Sequence, residues 1–307
     1  MYQRVLFIGS KESGYNLLNI IFSNSPDSLV GCVTVDDSDD SRSKLTDFST
    51  FCEANNITLN VLTGKCDISE SIKMFNPDLC IVMGWYYIIS SDNLDAVPGG
   101  FIGVHNSLLP KHRGFAPVVW TMIAGDDEAG FSVFSFDKGM DTGDIWYQGR
   151  VKIDNDDYIA DVNSKLDKEI SIFFSNNLTK ILDGSLKPCK QSAIGISYGS
   201  KRTADDGRID WSMNAKKIYD FIRAQSRPYP GAFTSYKGEK YIIWRANIFP
   251  YPIQGRSGQI GLIDRVSKTI VVVCGDNTGI EISHVETNGR EINIIDVVKS
   301  LSYDFGV

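Results

Sequence analysis

The segment between Gly103 and Asp144 contains the polar residues that are best suited to catalysis. His105 directly follows an apolar run, and Asn106 stands beside it. Asp141 lies in a second polar stretch, where glycines alternate with acidic residues as in a tight loop that fixes a carboxylate. A histidine, a carboxylate and an amide suit the attack of an amine on an activated acyl carbon, because they provide a base, its support and an oxyanion donor. This segment therefore predicts acyl transfer to an amine.

Other chemistries fit these residues less well. The aspartates of residues 137–144 lack the spacing of a calcium loop, and the three histidines and six cysteines lack the regular spacing of zinc ligands. Ser107 does not stand in a G-x-S-x-G motif, which leaves it without the context of a nucleophile. Gly9 and Gly14 do not have the spacing of a dinucleotide-binding loop. We therefore predict neither a metal site nor a bound dinucleotide.

Short apolar runs separated by helical patterns must position the candidate residues. RVLFIG, LVGCVTV and LCIVM are typical of buried parallel strands. Strands that alternate with helices predict a parallel sheet with helices on both faces, whose ligands bind beyond the carboxyl ends of the strands. Residues 84–88 and 105–114 follow such strand ends, so we expect the site there.

The pattern changes after about residue 187. Residues 200–210 are polar and rich in turn formers, residues 215–225 have helical spacing, and short β-like runs separated by glycines follow from Tyr236 onward. The sequence therefore predicts an α/β fold with two domains. A Rossmann-like parallel-sheet domain covers residues 1–200, and a smaller, β-rich C-terminal domain covers residues 201–307.

Composition restricts the partners. The 307 residues carry a net charge of -7, whereas proteins that hold nucleic acids by their phosphates usually present a basic face. The first residues lack the apolar run of a signal peptide, and no stretch approaches a membrane span of about 20 apolar residues. We therefore expect a cytoplasmic protein with free thiols, which binds neither nucleic acid nor membrane.

Several segments resemble the family of formyltransferases that use 10-formyltetrahydrofolate, and together they cover most of the chain. The matching segments are His105-Asn106-Ser107-Leu108-Leu109-Pro110-Lys111 with Arg113-Gly114, Met140-Asp141-Thr142-Gly143, Lys201-Arg202-Thr203 with Asp205, Asp210-Trp211 and Pro228-Tyr229-Pro230-Gly231-Ala232-Phe233. The resemblance implies a Rossmann-like domain that carries folate and the catalytic residues, followed by a smaller domain. It also implies 10-formyltetrahydrofolate as co-substrate and no metal.

The resemblance assigns roles to individual positions. The family's catalytic histidine and aspartate fall on His105 and Asp141. Arg113 is expected near the folate or its formyl group. The loop that cradles the pterin, and the loop that closes over it, are expected to contribute Met83, Gly84, Trp85, Tyr86, Tyr87 and Ile88, and Asp137, Gly139 and Asp141.

One position departs from the family pattern. The family commonly has Asn-x-His, in which the asparagine is the oxyanion donor, but this chain has Gly103 there. An asparagine follows the histidine instead, at Asn106. Two interpretations remain open: Asn106 supplies the amide donor as a third catalytic residue, or it only caps the turn.

The resemblance also restricts the amine that receives the formyl group. The acidic charge disfavours tRNA, and the glycinamide ribonucleotide enzyme is usually a shorter single domain. A nucleotide-linked amino-deoxysugar, joined to dTDP or UDP as in lipopolysaccharide O-antigen synthesis, fits the remainder. To bind such a substrate, the protein needs cationic side chains for the pyrophosphate and an aromatic side chain for the base. The predicted substrate-binding residues are Ser107, Lys111, Lys201, Arg202, Arg223, Arg227 and Tyr229.

Three alternatives stay open. The chain could be a methionyl-tRNA formyltransferase, a hydrolase that releases formate, or an inactive folate- or sugar-binding relative that has lost the asparagine at residue 103. The retention of His105 and Asp141 argues against the inactive relative. The resemblance implies a homodimer that pairs through the β-rich tail from Lys240 onward.

Overall fold

The computed structural model describes residues 2–64 and 66–306, which form two compact units. The first unit comprises residues up to 117, 130–151 and 164–199. The second unit comprises residues 118–129, 152–163 and those from 200 onward. The second unit therefore takes two segments from the first two thirds of the chain, in addition to the C-terminal third.

A seven-stranded sheet forms the centre of the first unit, in the order β3-β2-β1-β4-β5-β7-β8. Strands β1 to β5 run parallel, and β7 pairs with β5 in the antiparallel direction. Numbered along the chain, the elements up to residue 199 are β1 (Val5–Gly9), α1 (Lys11–Asn24), β2 (Leu29–Val35), α2 (Leu45–Ala54), β3 (Leu59–Leu62), α3 (Ser69–Phe75), β4 (Leu79–Met83), α4 (Ser91–Ala96), β5 (Phe101–His105), β6 (Arg113–Gly114), α5 (Pro117–Ala124), β7 (Glu128–Ser135), β8 (Ile145–Lys152), α6 (Ile159–Leu182) and β9 (Tyr198–Gly199).

The central strands form because their side chains are apolar on both faces. Every residue of β1 and of β4 is buried, as expected for parallel strands covered by helices on both sides. Local polar residues set several helix ends. Asn76 ends α3 in the left-handed conformation, and the hydroxyl of Ser90 accepts a hydrogen bond from the backbone N–H of Asn93 at the start of α4.

The carboxyl ends of β1, β4 and β5 lie at one edge of the sheet. Gly9 is level with Met83, and the backbone N–H of Ser10 donates to the carbonyl of Met83 at 3.2 Å. His105 ends β5, the neighbour of β4. The loops after these strands therefore meet at the edge where open parallel sheets bind ligands.

The second unit is built from two four-stranded sheets, in the orders β10-β11-β16-β17 and β12-β15-β14-β13. All their pairings are antiparallel. Trp211, Tyr236 and Phe305 are among the largest side chains of the core, and α7 packs its apolar face into it. The elements are α7 (Ala215–Gln225), β10 (Ala232–Tyr236), β11 (Glu239–Ile243), β12 (Asn247–Ile248), β13 (Ile260–Asp264), β14 (Thr269–Val273), β15 (Gly279–Ile282), β16 (His284–Thr287), β17 (Arg290–Asn293) and α8 (Ile294–Val297).

The predicted fold class is confirmed, with one difference in the first unit. The parallel pattern ends at β5, because β7 runs antiparallel to it. The segment that joins β5 to β7 covers residues 106–127 and contains α5, so its length would also allow a parallel connection and does not by itself explain the antiparallel direction. Within residues 2–64 and 66–306, no helix has both the length and the apolar character to cross a membrane.

Candidate active site

The imidazole of His105 is held by a single backbone contact. Its Nε2 lies 2.7 Å from the carbonyl oxygen of His112. A carbonyl only accepts hydrogen bonds, so Nε2 carries the proton and Nδ1 is the basic nitrogen of the neutral ring. Nδ1 lies 3.7 Å from Oδ2 of Asp141, and the side chain of His105 is 11% exposed. The ring therefore presents its basic nitrogen on the side of the carboxylate, in a site that is mostly closed to water.

The carboxylate of Asp141 is oriented by the backbone of β6. Its Oδ2 accepts a hydrogen bond of 2.7 Å from the N–H of Gly114. Asp141 itself adopts the left-handed conformation, with φ of 53°, which is uncommon for a residue other than glycine. The segment between β7 and β8 folds back and brings Asp141 close to His105. The backbone conformation of Asp141 turns its side chain inward.

The loop of residues 136–144 is stiffened from within. Oδ1 of Asp137 accepts hydrogen bonds from the N–H of Gly139 at 3.0 Å and from the hydroxyl of Thr142 at 2.6 Å. At Gly143 a Cβ atom would lie 1.8 Å from the carbonyl oxygen of Ser135, so only glycine fits there. Asp137 and Gly139, which were predicted to contact the folate, thus also shape the loop that carries Asp141.

Gly103 has an aromatic ring where its side chain would be. A Cβ atom at this position would lie 2.2 Å from Cε1 of Phe136, well inside van der Waals contact. Phe136 belongs to a cluster of rings, with its centroid 5.1 Å from that of Phe134. The space that the family's asparagine would enter is therefore filled by Phe136, and the oxyanion donor has to come from another residue.

Asn106 has an amide group without a partner. Among the described residues its side chain makes no hydrogen bond, and its Oδ1 is buried. The turn is closed instead by Ser107, whose N–H donates to the carbonyl of His105 at 2.8 Å and whose hydroxyl donates to the carbonyl of Lys111 at 2.6 Å. The interpretation of Asn106 as a turn cap therefore has no hydrogen bond to support it, and its amide remains available for a bound ligand.

The predicted contact of Ser107 with the substrate stays a prediction, and the structure gives its side chain a role in the turn. The residue is 2% exposed, and its hydroxyl is used by the turn. Its own carbonyl accepts a hydrogen bond of 2.7 Å from the hydroxyl of Ser132. Ser107 thus anchors the His105 turn to β7, whereas the side chain of Lys111 is exposed and stays a predicted substrate contact.

The candidate pterin loop begins at a backbone junction between β1 and β4. Gly84 has a φ of 69°, and a Cβ atom there would lie 2.2 Å from the carbonyl oxygen of Ser10. The hydroxyl of Ser10 donates to the carbonyl of Gly84 at 2.6 Å. Met83 is buried as the last residue of β4, so only its backbone could contact a ligand. The glycine at position 84 is therefore required by the close approach of the Ser10 backbone.

The aromatic residues of this loop differ in exposure. Trp85 packs against the sheet core, and its indole N–H is buried without a partner among the described residues. The rings of Tyr86 and Tyr87 contact each other at 4.7 Å between centroids, and Tyr86 is half exposed. Ile88 is 96% exposed. Trp85 is thus mainly a packing residue, and the loop presents Tyr86 and Ile88 to ligands or solvent.

An acidic loop lies at the same sheet edge, after β2. Lys11 forms ion pairs with Asp37 and with Asp40, at 2.6 and 2.8 Å. The Arg42 guanidinium and Lys11 hold the pKa of the Asp40 carboxyl well below its usual range. Desolvation, and then the Asp37 carboxylate, raises the pKa of Tyr86. This edge therefore holds several ionised carboxylates.

Gln191 is part of the site, and the sequence reasoning missed it. Its Nε2 donates to the carbonyl oxygens of Asp141 and Gly143, at 2.7 and 2.8 Å, and its Oε1 accepts from Nη2 of Arg113 at 2.7 Å. Arg113 is 6% exposed and has no carboxylate partner among the described residues. A lone glutamine in a polar loop belongs to no motif, so no sequence signal could have found it.

The predicted role of Arg223 in substrate binding stays a prediction, and the structure shows that its side chain is largely enclosed. Within the second unit its side chain is 5% exposed, and Nη2 pairs with Asp220 at 2.7 Å. Its Nη1 donates to the carbonyls of Asp154 and Asp157, at 3.2 and 2.6 Å. Its Nε is buried without a hydrogen-bond partner among the described residues.

The other predicted substrate cations of the second unit are less enclosed. Arg202 stacks on Trp120, 4.8 Å from the ring centroid, and donates to Gln225 at 2.7 Å. Arg227 stacks on Trp244 at 4.6 Å, is exposed, and forms an ion pair with a glutamate of β16 at 3.0 Å. Lys201 is exposed and Tyr229 half-buried. These four residues stay predictions.

The described residues include no group of three or more potential metal ligands. The site can therefore be characterised by its organic groups: a histidine with a basic Nδ1, a fixed carboxylate, an unpaired amide and a backbone cradle. Three buried polar atoms of this region, Oδ1 of Asn106, Nε1 of Trp85 and Nε of Arg113, lack a hydrogen-bond partner among the described residues. The histidine, the carboxylate and the amide are the groups that transfer of an acyl group to an amine requires.

Comparisons with known proteins identify the family. Residues 3–178 match the family model for formyl transferases, and residues 201–301 match that for the formyl transferase C-terminal domain. The chain is 30% identical over 280 residues to a methionyl-tRNA formyltransferase from Caldanaerobacter subterraneus subsp. tengcongensis, covering 89% of each chain. Its fold resembles WlaRD, a sugar 3N-formyl transferase, with a TM-score of 0.67 and 19% identity over 94% of this chain and 98% of that one. It also resembles an N-formyltransferase from Helicobacter canadensis, with a TM-score of 0.69 and 18% identity over 92% and 99% of the chains. The chain therefore belongs to the formyl transferase family, whose members are enzymes that transfer formyl groups.

Proposed function

We propose that this enzyme transfers the formyl group of 10-formyltetrahydrofolate to the amine of a nucleotide-linked amino-deoxysugar. The observation that carries the chemistry is the pairing of a basic Nδ1 on His105 with the fixed carboxylate of Asp141, 3.7 Å away. The folate supplies the activated formyl carbon. Two fold relatives were crystallised with 5-formyl-tetrahydrofolate or folinic acid together with dTDP or dTDP-3-aminofucose, which supports this pair of substrates.

In this mechanism Nδ1 of His105 takes the proton from the attacking amine. Nε2 cannot take it, because its own proton is held by the carbonyl of His112. The carboxylate of Asp141 then faces a positively charged imidazolium and stabilises it. Asn106 donates its amide N–H to the oxyanion of the tetrahedral intermediate. His105 returns the proton to the leaving nitrogen as the C–N bond to the carrier breaks, so that the proton balance closes.

The acidic loop after β2 supports a small acceptor rather than tRNA. The stretch holds Asp36, Asp37, Asp39 and Asp40 at the same sheet edge as His105. Carboxylates repel the phosphates of a nucleic acid over about a Debye length of 8 to 10 Å. A tRNA end would meet them together with the rest of its phosphate backbone, whereas a sugar nucleotide brings only two phosphates, which a few cations can balance.

Charge in the second unit points in the same direction. Residues 201–307 alone carry 15 Lys and Arg against 12 Asp and Glu, a modest basic excess. The segments 118–129 and 152–163, which belong to the same unit, add seven acidic residues and one lysine. The whole unit is therefore slightly acidic, which does not favour a nucleic-acid surface.

Methionyl-tRNA formyltransferase is the second candidate. The observation that favours it is the sequence likeness, because relatives with this name are 30% identical over 89% of the chain. The same likeness extends across the C-terminal domain, so overall architecture does not separate the two candidates. The two candidates differ in the acceptor that receives the formyl group.

A comparison of acceptors, each assayed separately, tests the proposal. The purified enzyme is incubated with 10-formyltetrahydrofolate and with one acceptor at a time: dTDP- and UDP-linked 3-amino and 4-amino sugars, or methionyl initiator tRNA. Release of tetrahydrofolate and the mass of the formylated product are measured. We expect kcat/KM for one sugar nucleotide to exceed that for the tRNA by at least about 100-fold, a difference of roughly 2.7 kcal/mol in transition-state binding.

The His105→Asn variant is the matched control, because it separates enzymatic transfer from spontaneous formylation. Faster formylation of the tRNA would replace this proposal with the second candidate. Formate release without any acceptor, at the same rate as with acceptor, would identify a hydrolase instead.

A further inference from the structure

Gln191 connects the catalytic loop to a buried arginine. Its Nε2 donates to the carbonyl oxygens of Asp141 and Gly143, at 2.7 and 2.8 Å, so one amide group holds the backbone on both sides of Thr142. Its Oε1 accepts from Nη2 of Arg113 at 2.7 Å. Both N–H donors and one acceptor position of this side chain are therefore used within the site region.

The backbone at Asp141 needs such support. Its φ of 53° places a residue with a Cβ atom in the left-handed region, which persists only where surrounding contacts impose it. The hydrogen bond from Gln191 holds the carbonyl of that same residue. At the other end of the residue, Oδ2 is held by the N–H of Gly114 at 2.7 Å. The carboxylate can face Nδ1 of His105 only while this conformation is kept.

Arg113 fixes which way the amide of Gln191 points. A guanidinium has only donors, so the oxygen of the amide must face it and the NH2 group must face the two carbonyls. Arg113 is itself held in β6, where its N–H donates to the carbonyl of Ser197 at 2.9 Å. Its Nη1 lies 3.4 Å from the hydroxyl of Tyr198 in β9. The orientation of Gln191 is thus set by a buried charge on a paired strand.

We infer that Gln191 is a positioning residue, which acts through Asp141 by holding its backbone in the left-handed conformation that directs the carboxylate to His105. The inference rests on the proposed function only for the role of that carboxylate. It assigns Arg113 a role in orienting Gln191, in addition to any contact with the folate. The substitution Gln191→Leu should therefore release Asp141 without removing any group that touches the reacting atoms.

A structural measurement tests the inference independently of activity. In the wild-type enzyme the N–H of Gly114 is bonded to the Asp141 carboxylate, whereas the N–H of Phe115 is bonded to the carbonyl of Gly199 at 3.0 Å. Hydrogen exchange, resolved by NMR, reports both amides. We expect Gln191→Leu to accelerate exchange at Gly114 at least tenfold and to leave Phe115 unchanged. Unchanged exchange at Gly114 would overturn the inference, whatever the substrate of the enzyme is.

A double-mutant cycle tests the route through the aspartate. Gln191→Leu should lower kcat about 30- to 100-fold, the scale of a small misplacement of a catalytic group, with the KM for the folate within about threefold. In an Asp141→Ala background the same change should lower kcat less than about threefold, because the group that it positions is already gone. Equal losses in both backgrounds would overturn the inference.

Two further variants exclude a merely structural explanation. Gln191→Glu keeps the acceptor for Arg113 but removes both donors, so it should lose as much kcat as Gln191→Leu; full activity of this variant would contradict the inference. Asn60→Leu removes a side-chain amide hydrogen bond of 2.8 Å on the edge strand β3, and it should lower stability alone. Near-wild-type turnover of Asp141→Ala would instead refute the proposed mechanism. The hydrogen exchange at Gly114 would still test the positioning role of Gln191, because that measurement does not depend on turnover.

Discussion

Arg113 in the first unit and Arg223 in the second are both buried, but their positive charges are compensated differently. Arg223 pairs with Asp220 at 2.7 Å, and Lys216 contacts the same carboxylate. Arg113 donates to a neutral amide and has no carboxylate partner in the described part of the chain. The positive charge of Arg223 is thus cancelled locally, whereas that of Arg113 is left to act on its surroundings.

The same contrast separates the two regions around these residues. Around His105 the structure leaves polar atoms unpaired, such as Oδ1 of Asn106. Around α7 of the second unit the buried charge of Arg223 is compensated by an opposite charge, although its Nε has no hydrogen-bond partner among the described residues. An unpaired polar atom alone therefore does not mark a binding site, and the uncompensated charge of Arg113 is what distinguishes the region of His105. The substitutions below test whether the two regions differ in this way.

The largest expected effect is on turnover, from the region with unpaired groups. His105→Asn removes the base and should lower kcat by about 1,000-fold, within the range for general base catalysis. The melting temperature should change little, because only one hydrogen bond to the carbonyl of His112 is lost. Steady-state kinetics and thermal denaturation measure both. Turnover within threefold of wild type would remove the histidine from the mechanism.

The next effect is on stability, from the region with balanced charges. Arg223→Met leaves the carboxylate of Asp220, which is 3% exposed, with Lys216 as its one remaining cation among the described residues. Loss of one hydrogen-bonded charged partner costs about 1.5–3 kcal/mol, which urea denaturation should detect. Lys217→Met, on the exposed face of the same helix, is the matched control and should change stability little. A normal stability with a tenfold higher KM for the sugar nucleotide would support the predicted role of Arg223 in substrate binding.

Asn106→Ala should show a smaller effect on catalysis. Loss of one oxyanion donor typically lowers kcat about 100-fold. Because the amide has no partner in the described residues, the free energy of unfolding should stay the same or rise. A loss below about threefold would leave the oxyanion to backbone donors, and a fall in stability would show that Asn106 pairs within the protein after all.

The smallest effect concerns Asp167 on α6, an acid of the first unit that has no neutralising partner within residues 2–64 and 66–306. Burial, and then the charge of Glu12, raises its pKa to about 6 from 3.8. Between these two pH values the folded protein keeps a proton that the unfolded chain has released, so this group's contribution to stability is present below pH 4 and is lost as the pH rises to about 6.

Asp167→Asn should therefore raise the free energy of unfolding at pH 7.5 by about 1–2 kcal/mol and change it little at pH 4. Denaturation at the two pH values measures the difference. An equal gain at both would show that packing, and not ionisation, is responsible.

The sequence predicted the fold well where pattern alone determines structure. The buried runs of β1, β2 and β4 became parallel strands, because an apolar run of that length has to be covered on both faces. The antiparallel direction of β7 was not predicted, because an apolar run does not show the direction of its strand. The β-rich character after residue 200 was predicted from its short, glycine-separated runs, whereas the division into two four-stranded sheets was not.

The site was predicted less completely, for a physical reason. Motif residues such as His105 and Asp141 lie together because strand ends and a tight loop bring them there. Sequence could not show that Arg223 is enclosed by its own acid, or that Ser107 closes a turn, because both depend on tertiary neighbours. Gln191 was missed for the same reason, since its importance comes entirely from the three groups that it contacts.

The ring of Phe136 beside Gly103 has a consequence for substitutions at both positions. A mutation of Gly103 to asparagine, the residue common in the family, would drive the new side chain into the ring, only 2.2 Å from its Cβ. Asparagine at position 103 therefore requires the ring of Phe136 to move or to be replaced by a smaller side chain. The two positions are thus coupled, and a double substitution at 103 and 136 is expected to cost less stability than Gly103→Asn alone.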